Sequence, residues 1–247
     1  MLLCVGCQWQ LKQTDKDAKT THLRIQRFDR IESLYLTTGD YAALQQMNTY
    51  FPNETRMLIE DVLHLGQVNS TDINTKFLYF FQDSTLQRMM SDVQLQYSNM
   101  DDVEQSLNDA FGRLRHEDAD LPMPDIYTQM GSFDQSIIVS DGVLGISLDK
   151  YLGEDYPFYV THYTEEQRRL MKRDMIVPDC LAFYLLSLFP LSAEQHATQA
   201  LRDEHMGRIM WVVNRLLQHN VFDNEPVAAA EAYVKQHGFK SIKEFLQ

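Results

Sequence analysis

The feature that most constrains the fold is a change in the spacing of apolar residues in the middle of the chain. Before about residue 115 and after about residue 164, apolar residues recur at the spacing of amphipathic helices. Between these parts the pattern indicates three short strands, at 125–130, 135–140 and 143–148. Asp141 and Gly142 join the last two strands, and Asp-Gly strongly favours a tight hairpin. We therefore predict a helix-dominated α+β fold with a small antiparallel β-meander between two helical lobes.

Capping residues and prolines divide the rest of the chain into segments. Asp40 predicts a helix over 41–50, and Pro52 predicts one over 52–65. Residues 22–29 alternate between apolar and polar types, which indicates a strand. No internal repeat or low-complexity linker occurs, so we expect one domain over 22–247 after a separate segment at 1–21. Further helices are expected to start near Asp72, Asp83, Asp101, Thr164, Pro178, Ser192 and Pro226.

The composition excludes several classes of protein. The formal net charge is −13, and no local basic stripe opposes it, so nucleic acid is not an expected partner. Three cysteines are too few for a disulfide scaffold. No run approaches the roughly 18–20 apolar residues of a membrane-spanning helix. The chain is therefore expected to form an ordinary core that packs without cross-links.

The first residues allow two interpretations. Cys4 and Cys7 form a Cys-x-x-Cys pair, but redox and zinc motifs need a folded unit and further ligands around them. Alternatively, Val5-Gly6-Cys7 resembles the end of a bacterial lipobox, with Cys7 as the acylated first residue of the mature protein and the basic part of the leader upstream of Met1. In that interpretation residues 1–21 are a signal-peptide remnant and a lipid-anchored tether.

The chain lacks the common catalytic motifs. It has no phosphate-binding loop, no nucleophile elbow and no His-Glu-x-x-His zinc motif, so we expect no catalytic residue, no metal site and no cofactor. His196, Glu204 and His205 share one predicted helix but not one face. Four aspartates near the exit of the sheet can serve acid–base chemistry or cap helices, and capping is favoured: Asp149, Asp155, Asp174 and Asp179. The aromatic stretch 156–163 indicates a partner site if exposed and core if buried.

Several segments resemble the gliding-motility lipoprotein GldB family of Bacteroidetes, in the order expected for that family. The most specific is 136–153, which ends in Leu-Asp-Lys-Tyr-Leu-Gly, and Pro-Asp-Ile-Tyr at 124–127 precedes it. Segments 25–29, 175–178 and 204–211 are also similar, so the resemblance spans most of 22–217. It implies a lipoprotein of the cell envelope, at the outer membrane with a periplasmic or surface face, that serves the envelope or gliding machinery.

The same family resembles, more remotely, zinc-dependent peptidases of the zincin-like type. In those proteins the apolar helix after the sheet carries His-Glu-x-x-His, whereas the corresponding residues 177–184 contain no histidine. Glu204 on the later helix cannot hold zinc alone. The resemblance therefore implies a peptidase-like scaffold that has lost its metal.

Together these observations predict a non-catalytic, lipid-anchored envelope protein that binds a protein or peptide and attaches to the membrane through acyl chains. The binding groove is expected between the sheet edge and the helix starting near Val177, where an extended peptide can add to the edge. The alternatives are a divergent metal-dependent hydrolase or peptidase and a soluble cytoplasmic interaction domain. The residues expected to line the groove are Asp149, Tyr151, Asp179, Tyr184 and Glu204.

Overall fold

The computed structural model describes residues 22–131, 135–140, 142–192 and 198–247. None of the helices in these ranges is both long and apolar enough to cross a bilayer. Short π-helical and 3₁₀ segments lie at Met57–Val62, Leu148–Lys150 and Arg173–Met175. The α-helices are α1 (Phe28–Thr38), α2 (Tyr41–Tyr50), α3 (Pro52–Arg56), α4 (Ile73–Phe80), α5 (Ser84–Gln96), α6 (Asp101–Glu117), α7 (Pro157–His162), α8 (Glu165–Arg168), α9 (Ile176–Leu188), α10 (Gln199–Leu217), α11 (Glu225–His237) and α12 (Ile242–Leu246).

Four strands form one mixed sheet: β1 (Ile25–Gln26), β2 (Asp125–Gln129), β3 (Ile137–Ser140) and β4 (Val143–Ser147). The strand order is β1-β2-β4-β3, with β2 parallel to both β1 and β4 and β3 antiparallel to β4. The helix-dominated α+β class is therefore confirmed. The predicted antiparallel meander is wrong, because β4 inserts between β2 and β3 instead of following them at the edge.

The burial of β4 explains its central position. Every residue of β4 except Val143 is buried, as is typical of a strand covered on both faces, whereas β3 ends in half-exposed residues at the sheet edge. Gly145 provides space for the ring of Tyr127 on the neighbouring strand, since a Cβ there would lie 2.5 Å from it. The predicted hairpin between β3 and β4 is confirmed, with Ser140 opposite Val143 and Gly142 at a φ of +80°.

Several predicted boundaries change. The strand expected over 22–29 shortens to β1, because Phe28 already begins α1. The helix expected over 52–65 is divided between α3 and the π-helical Met57–Val62. The described part of the long C-terminal helix begins at Gln199 with Thr198 as its cap; residues 193–197, next to the predicted cap Ser192, lie outside the described residues.

The packing around the sheet places its strand ends inside the molecule. Helix α1 contacts β2, α9 packs against β3 and β4, and the segment Leu148–Lys150 after β4 contacts α5. Helices α6 and α10 pack against α9, and α11 and α12 pack on α10. As a result, polar residues at the ends of β2 and β4 are surrounded by helices and become the centre of the fold.

Candidate functional site

Polar side chains collect where β2 and β4 end. Because these two strands are parallel and adjacent, their carboxyl ends lie at the same edge of the sheet. Helix α1 adds Asp29 and Glu32, and the segment after β4 adds Asp149. The three carboxyl residues are 0–1% exposed. A buried polar centre of this kind needs internal partners for each of its charges.

Asp29 has such partners. Arg27 donates two hydrogen bonds of 2.8 Å from its guanidinium to the two carboxylate oxygens. The hydroxyl of Thr128 donates to Oδ1, and the side-chain amide of Gln94 donates to Oδ2 at 3.2 Å. Through these hydrogen bonds Asp29 links α1 to β2 and to α5.

Glu32 and Asp149 are only half satisfied. Glu32 accepts a 3.0 Å hydrogen bond from the backbone amide of Met130, and Asp149 accepts one of 3.2 Å from that of Gly131. Glu32 Oε1 and Asp149 Oδ2 have no hydrogen-bond partner among the described residues. Burial raises the pKa of Asp149 to about 7. Burial, together with the charges of Asp29 and Asp149, raises the pKa of Glu32 well above its usual range.

Asp179 and Tyr151 form a second polar contact beside this centre. The Tyr151 hydroxyl donates to Asp179 Oδ2 at 2.8 Å, and burial raises the pKa of Asp179 to about 6 although that hydrogen bond lowers it. Tyr97 donates to the Tyr151 carbonyl at 2.6 Å, and Tyr159 donates to the Asp149 carbonyl. These tyrosines hold residues 149–151 in place.

The predicted groove residues occupy different environments. Asp149, Tyr151 and Tyr184 are 1–2% exposed, and Asp179 is half-buried. Tyr184 donates to the Pro122 carbonyl, away from the Tyr151–Asp179 contact. Glu204 is exposed, pairs with Arg208 at 2.5 Å and lines a separate cavity of about 350 Å³ near the C-terminus. A role of these residues in binding stays a prediction, and Cys7 lies outside the described residues.

The expectation that Asp174 and Asp179 cap helices is wrong. Helix α9 begins after Met175 without a side-chain cap, and the Asp179 carboxylate accepts from Tyr151 instead. Asp174 lies within the 3₁₀ segment Arg173–Met175. The tertiary neighbour Tyr151 thus replaces the local backbone as the partner of Asp179.

The aromatic stretch 156–163 is divided between core and surface. Tyr159 is buried, whereas Thr161 and His162 are exposed. The stretch forms one side of a cavity of about 850 Å³ between α5 and α7, which we call the α5–α7 cavity. Its lining residues are Ser84, Thr85, Arg88, Asp92, Tyr156, Pro157, Phe158, Thr161 and His162.

The α5–α7 cavity combines aromatic, hydroxyl and charged groups. Tyr156 donates to Asp92 at 2.8 Å, and the ring of His162 stacks on Phe158 with 4.1 Å between centroids. Arg88 lies one helical turn before Asp92 but forms no ion pair with a carboxylate among the described residues. Such a mixture can bind a ligand that is partly apolar and partly charged.

Sequence reasoning did not single out Glu32 or Arg88. A clue to Glu32 was available, because it lies four residues after Phe28 and four before Leu36, on the apolar face of α1. An acid on that face is unusual and indicates a buried polar partner. No comparable clue marks Arg88, whose surroundings depend on the position of α7.

Among the residues that the structure describes, the acidic side chains do not form a recognisable metal site. Within the described ranges, no three His, Cys, Asp or Glu side chains are grouped so that they could hold a metal ion. Cys180 is buried among apolar residues of α9, and burial raises the pKa of its thiol. It is therefore a packing residue, as its apolar sequence context predicts.

The comparisons with known proteins agree with the resemblance seen in the sequence. The chain matches the family model for gliding motility protein GldB over residues 10–223, which includes all four strands and the whole polar centre. No curated protein and no solved structure matches it. The similarity to zincin-like peptidases stays a prediction. Since the match covers most of the chain, the protein belongs to the GldB family of gliding-motility lipoproteins.

Proposed function

We propose that this protein is a lipid-anchored component of the cell envelope that binds a protein or peptide of the gliding machinery and performs no catalysis itself. Its scaffold is a degenerate, peptidase-like one. The family match supports the link to gliding and to lipoproteins. The binding role is supported by the contrast between a sealed polar centre and an open cavity.

The observation that carries the proposal is the burial of the central carboxyl groups. Asp29, Glu32 and Asp149 have at most 1% of their surface exposed, so a substrate would have to displace the surrounding helices to reach them. Asp29 is further occupied by Arg27 and Thr128. A general acid or base must lie within hydrogen-bond reach of the substrate, and these residues do not in the described conformation.

The α5–α7 cavity is the surface that best fits a partner. Tyr156 and Phe158 provide apolar ring faces, which anchor partners efficiently at protein interfaces. Arg88 provides a positive charge that can form paired hydrogen bonds with a carboxylate. The expected partner is therefore a peptide segment in which an apolar side chain lies near an acidic one.

The proposed anchor is Cys7, which the lipobox-like Val5-Gly6-Cys7 and the family match support. With an acylated Cys7, residues 8–21 connect the lipid to the folded domain that starts near His22. Stable anchoring needs more than one acyl chain, as bacterial lipoproteins carry. Replacing Cys7 by Ala should move the protein from the membrane fraction to the soluble fraction, and a protein that stays with the membrane would contradict the lipid anchor.

The binding proposal can be tested by complementation of a strain that lacks the protein. The double variant Arg88→Gln with Phe158→Ser should abolish gliding while its level in the envelope fraction stays normal. The matched control is Arg24→Gln, which removes one exposed charge that has no ion pair with a described residue, and it should leave gliding unchanged. Normal gliding of the double variant at normal protein level would exclude the α5–α7 cavity as the binding site.

A second candidate function is a divergent metal-dependent hydrolase or peptidase. It is favoured by the oxygens of Glu32 and Asp149 that lack a partner among the described residues, because two carboxyl groups held by adjacent amides can act as acid and base or as ligands. Elemental analysis of the purified full chain and a peptidase assay with and without chelator distinguish the two functions. Stoichiometric zinc with hydrolysis that Asp149→Asn abolishes would replace the binding proposal.

A further inference from the structure

Two buried carboxyl groups hold the same short piece of backbone. Glu32 on α1 accepts from the amide of Met130, and Asp149 after β4 accepts from the next amide, that of Gly131. Both side chains retain one oxygen without a hydrogen-bond partner among the described residues. The piece of chain that leaves β2 is therefore clamped between α1 and the end of β4.

Among the described residues, neither Glu32 nor Asp149 forms an ion pair with a cation. The guanidinium of Arg27 is bound by Asp29, which itself adds a negative charge on the Glu32 side. Lys150 follows Asp149 in the chain and favours its charged form, but its ammonium group contacts the hydroxyl of Tyr163. Two unpaired carboxylates in a sealed interior are strongly unfavourable, and such groups take up protons instead.

We propose that Glu32 and Asp149 form a proton-binding carboxyl pair, in which the two buried groups that hold adjacent backbone amides take up protons instead of both being charged. The proton is held at Glu32 Oε1 or Asp149 Oδ2, the oxygens that have no hydrogen-bond partner among the described residues. No other group need be consumed or released, since the proton is taken from solvent when the chain folds. The site therefore binds a proton, and this goes beyond the proposed binding of a partner.

The charged and titratable neighbours determine which member keeps the proton. Asp29 and Asp149 both disfavour ionisation of Glu32, so Glu32 is the acid of the pair. Tyr127 on β2 and Tyr159 on α7 face the pair, and the pKa of each hydroxyl is raised, so they stay neutral donors. Asp149 has a pKa of about 7 and is the member that titrates near neutrality.

The pair makes the stability of the fold depend on pH. The pKa of each acid is higher in the folded chain than in the unfolded chain. At a pH between the unfolded and the folded pKa of an acid, the folded chain therefore binds more protons than the unfolded chain. Stability therefore falls as the pH rises from about 5 through 7, and the clamp on Met130 and Gly131 is weakest above neutrality. This direction is opposite to that of an acid stabilised by a salt bridge.

The test is urea denaturation of the full chain at pH 5 and pH 8. In Asp149→Asn the amide oxygen still accepts from Gly131, whereas the neutral side chain can no longer take up or release a proton. The unfolding constant of the wild type should rise between these pH values by about tenfold or more relative to that of the variant. The control Asp155→Asn, at a residue whose side chain is 94% exposed, should follow the wild type.

Infrared spectroscopy gives an independent readout. At pH 7 the wild type should show the C=O stretch of a protonated carboxylic acid, and Glu32→Gln should weaken it to the part that Asp149 and Asp179 contribute. If Glu32→Gln does not fold, Asp149→Asn should still weaken this band, because Asp149 is partly protonated at pH 7 and its negative charge no longer opposes the ionised form of Glu32. Equal pH dependence of Asp149→Asn and the wild type, or absence of the protonated band from the wild type, would overturn the proposal.

Discussion

The polar centre at the ends of β2 and β4 and the α5–α7 cavity use similar residues for different purposes. Each contains at least one carboxylate, an arginine, a hydroxyl group and a tyrosine. In the polar centre these groups are buried and bonded to each other or to backbone amides, so they stabilise the packing of α1, β2 and β4. In the cavity Arg88 is exposed and has no ion pair with a described carboxylate, so it stays accessible. Burial, rather than residue type, therefore distinguishes a structural cluster from a candidate binding surface.

The largest loss of stability is expected when the ion pair between Arg27 and the buried Asp29 is broken. Arg27→Met leaves the fully buried Asp29 without its cation and should lower the free energy of unfolding by about 3 kcal/mol. Arg169→Met is the matched control, because the Arg169–Glu165 pair is 66–70% exposed and should contribute less than about 0.5 kcal/mol. Urea denaturation at pH 7 measures both. If Arg27→Met and Arg169→Met lowered the free energy of unfolding equally, the polar centre would be more hydrated than its burial indicates.

A smaller loss of stability is expected at Gly131, whose amide donates to Asp149. Gly131 has a φ of +112°, and a Cβ there would lie 2.7 Å from the ring of Phe81, so Gly131→Ala should cost about 2–3 kcal/mol. Gly153 has a similar φ of +115° but no heavy atom within 4 Å of an added Cβ. Gly153→Ala should therefore show the backbone cost alone, about 1 kcal/mol. If Gly131→Ala lowered the free energy of unfolding no more than Gly153→Ala does, the ring of Phe81 would be able to move away from the added Cβ without a penalty.

The smallest effect on stability is expected in the α5–α7 cavity. Arg88→Gln removes an exposed side chain that has no ion pair with a described carboxylate, and it should change the free energy of unfolding by less than about 0.5 kcal/mol. The same substitution is part of the double variant expected to abolish gliding. If Arg88→Gln instead destabilised the fold by about 2 kcal/mol or more, as much as a core substitution, Arg88 would be a structural residue like Arg27.

Local patterns predicted many of the elements. Asp40 accepts from the amide of Ala42 at the start of α2, and Thr164 and Gln167 form a capping box on α8. The connection through Gly142 joins β3 and β4 in a tight hairpin, as expected. These features depend on residues close together in the chain, so a single sequence contains the information for them.

The candidate site was only partly predictable. Asp149, Tyr151 and Asp179 were singled out, and the structure places Tyr151 and Asp179 in contact. Glu204 was grouped with them because the later helix of zinc peptidases supplies a ligand, but it lines a different cavity. The sequence does not predict a role for Glu32, because its hydrogen-bond partner, the Met130 amide, is 98 residues away in the chain.

The amino-acid sequence by itself determined the helix-dominated class, the family and the turn between β3 and β4, because periodicity, capping and motifs act over a few residues. Only the tertiary structure decided that β4 runs between β2 and β3. That parallel pairing brings the ends of β2 and β4 together and places Asp149 with Glu32 inside the fold. Strand order and burial depend on how well surfaces that are distant in the chain pack together, and a local sequence pattern holds no information about that packing.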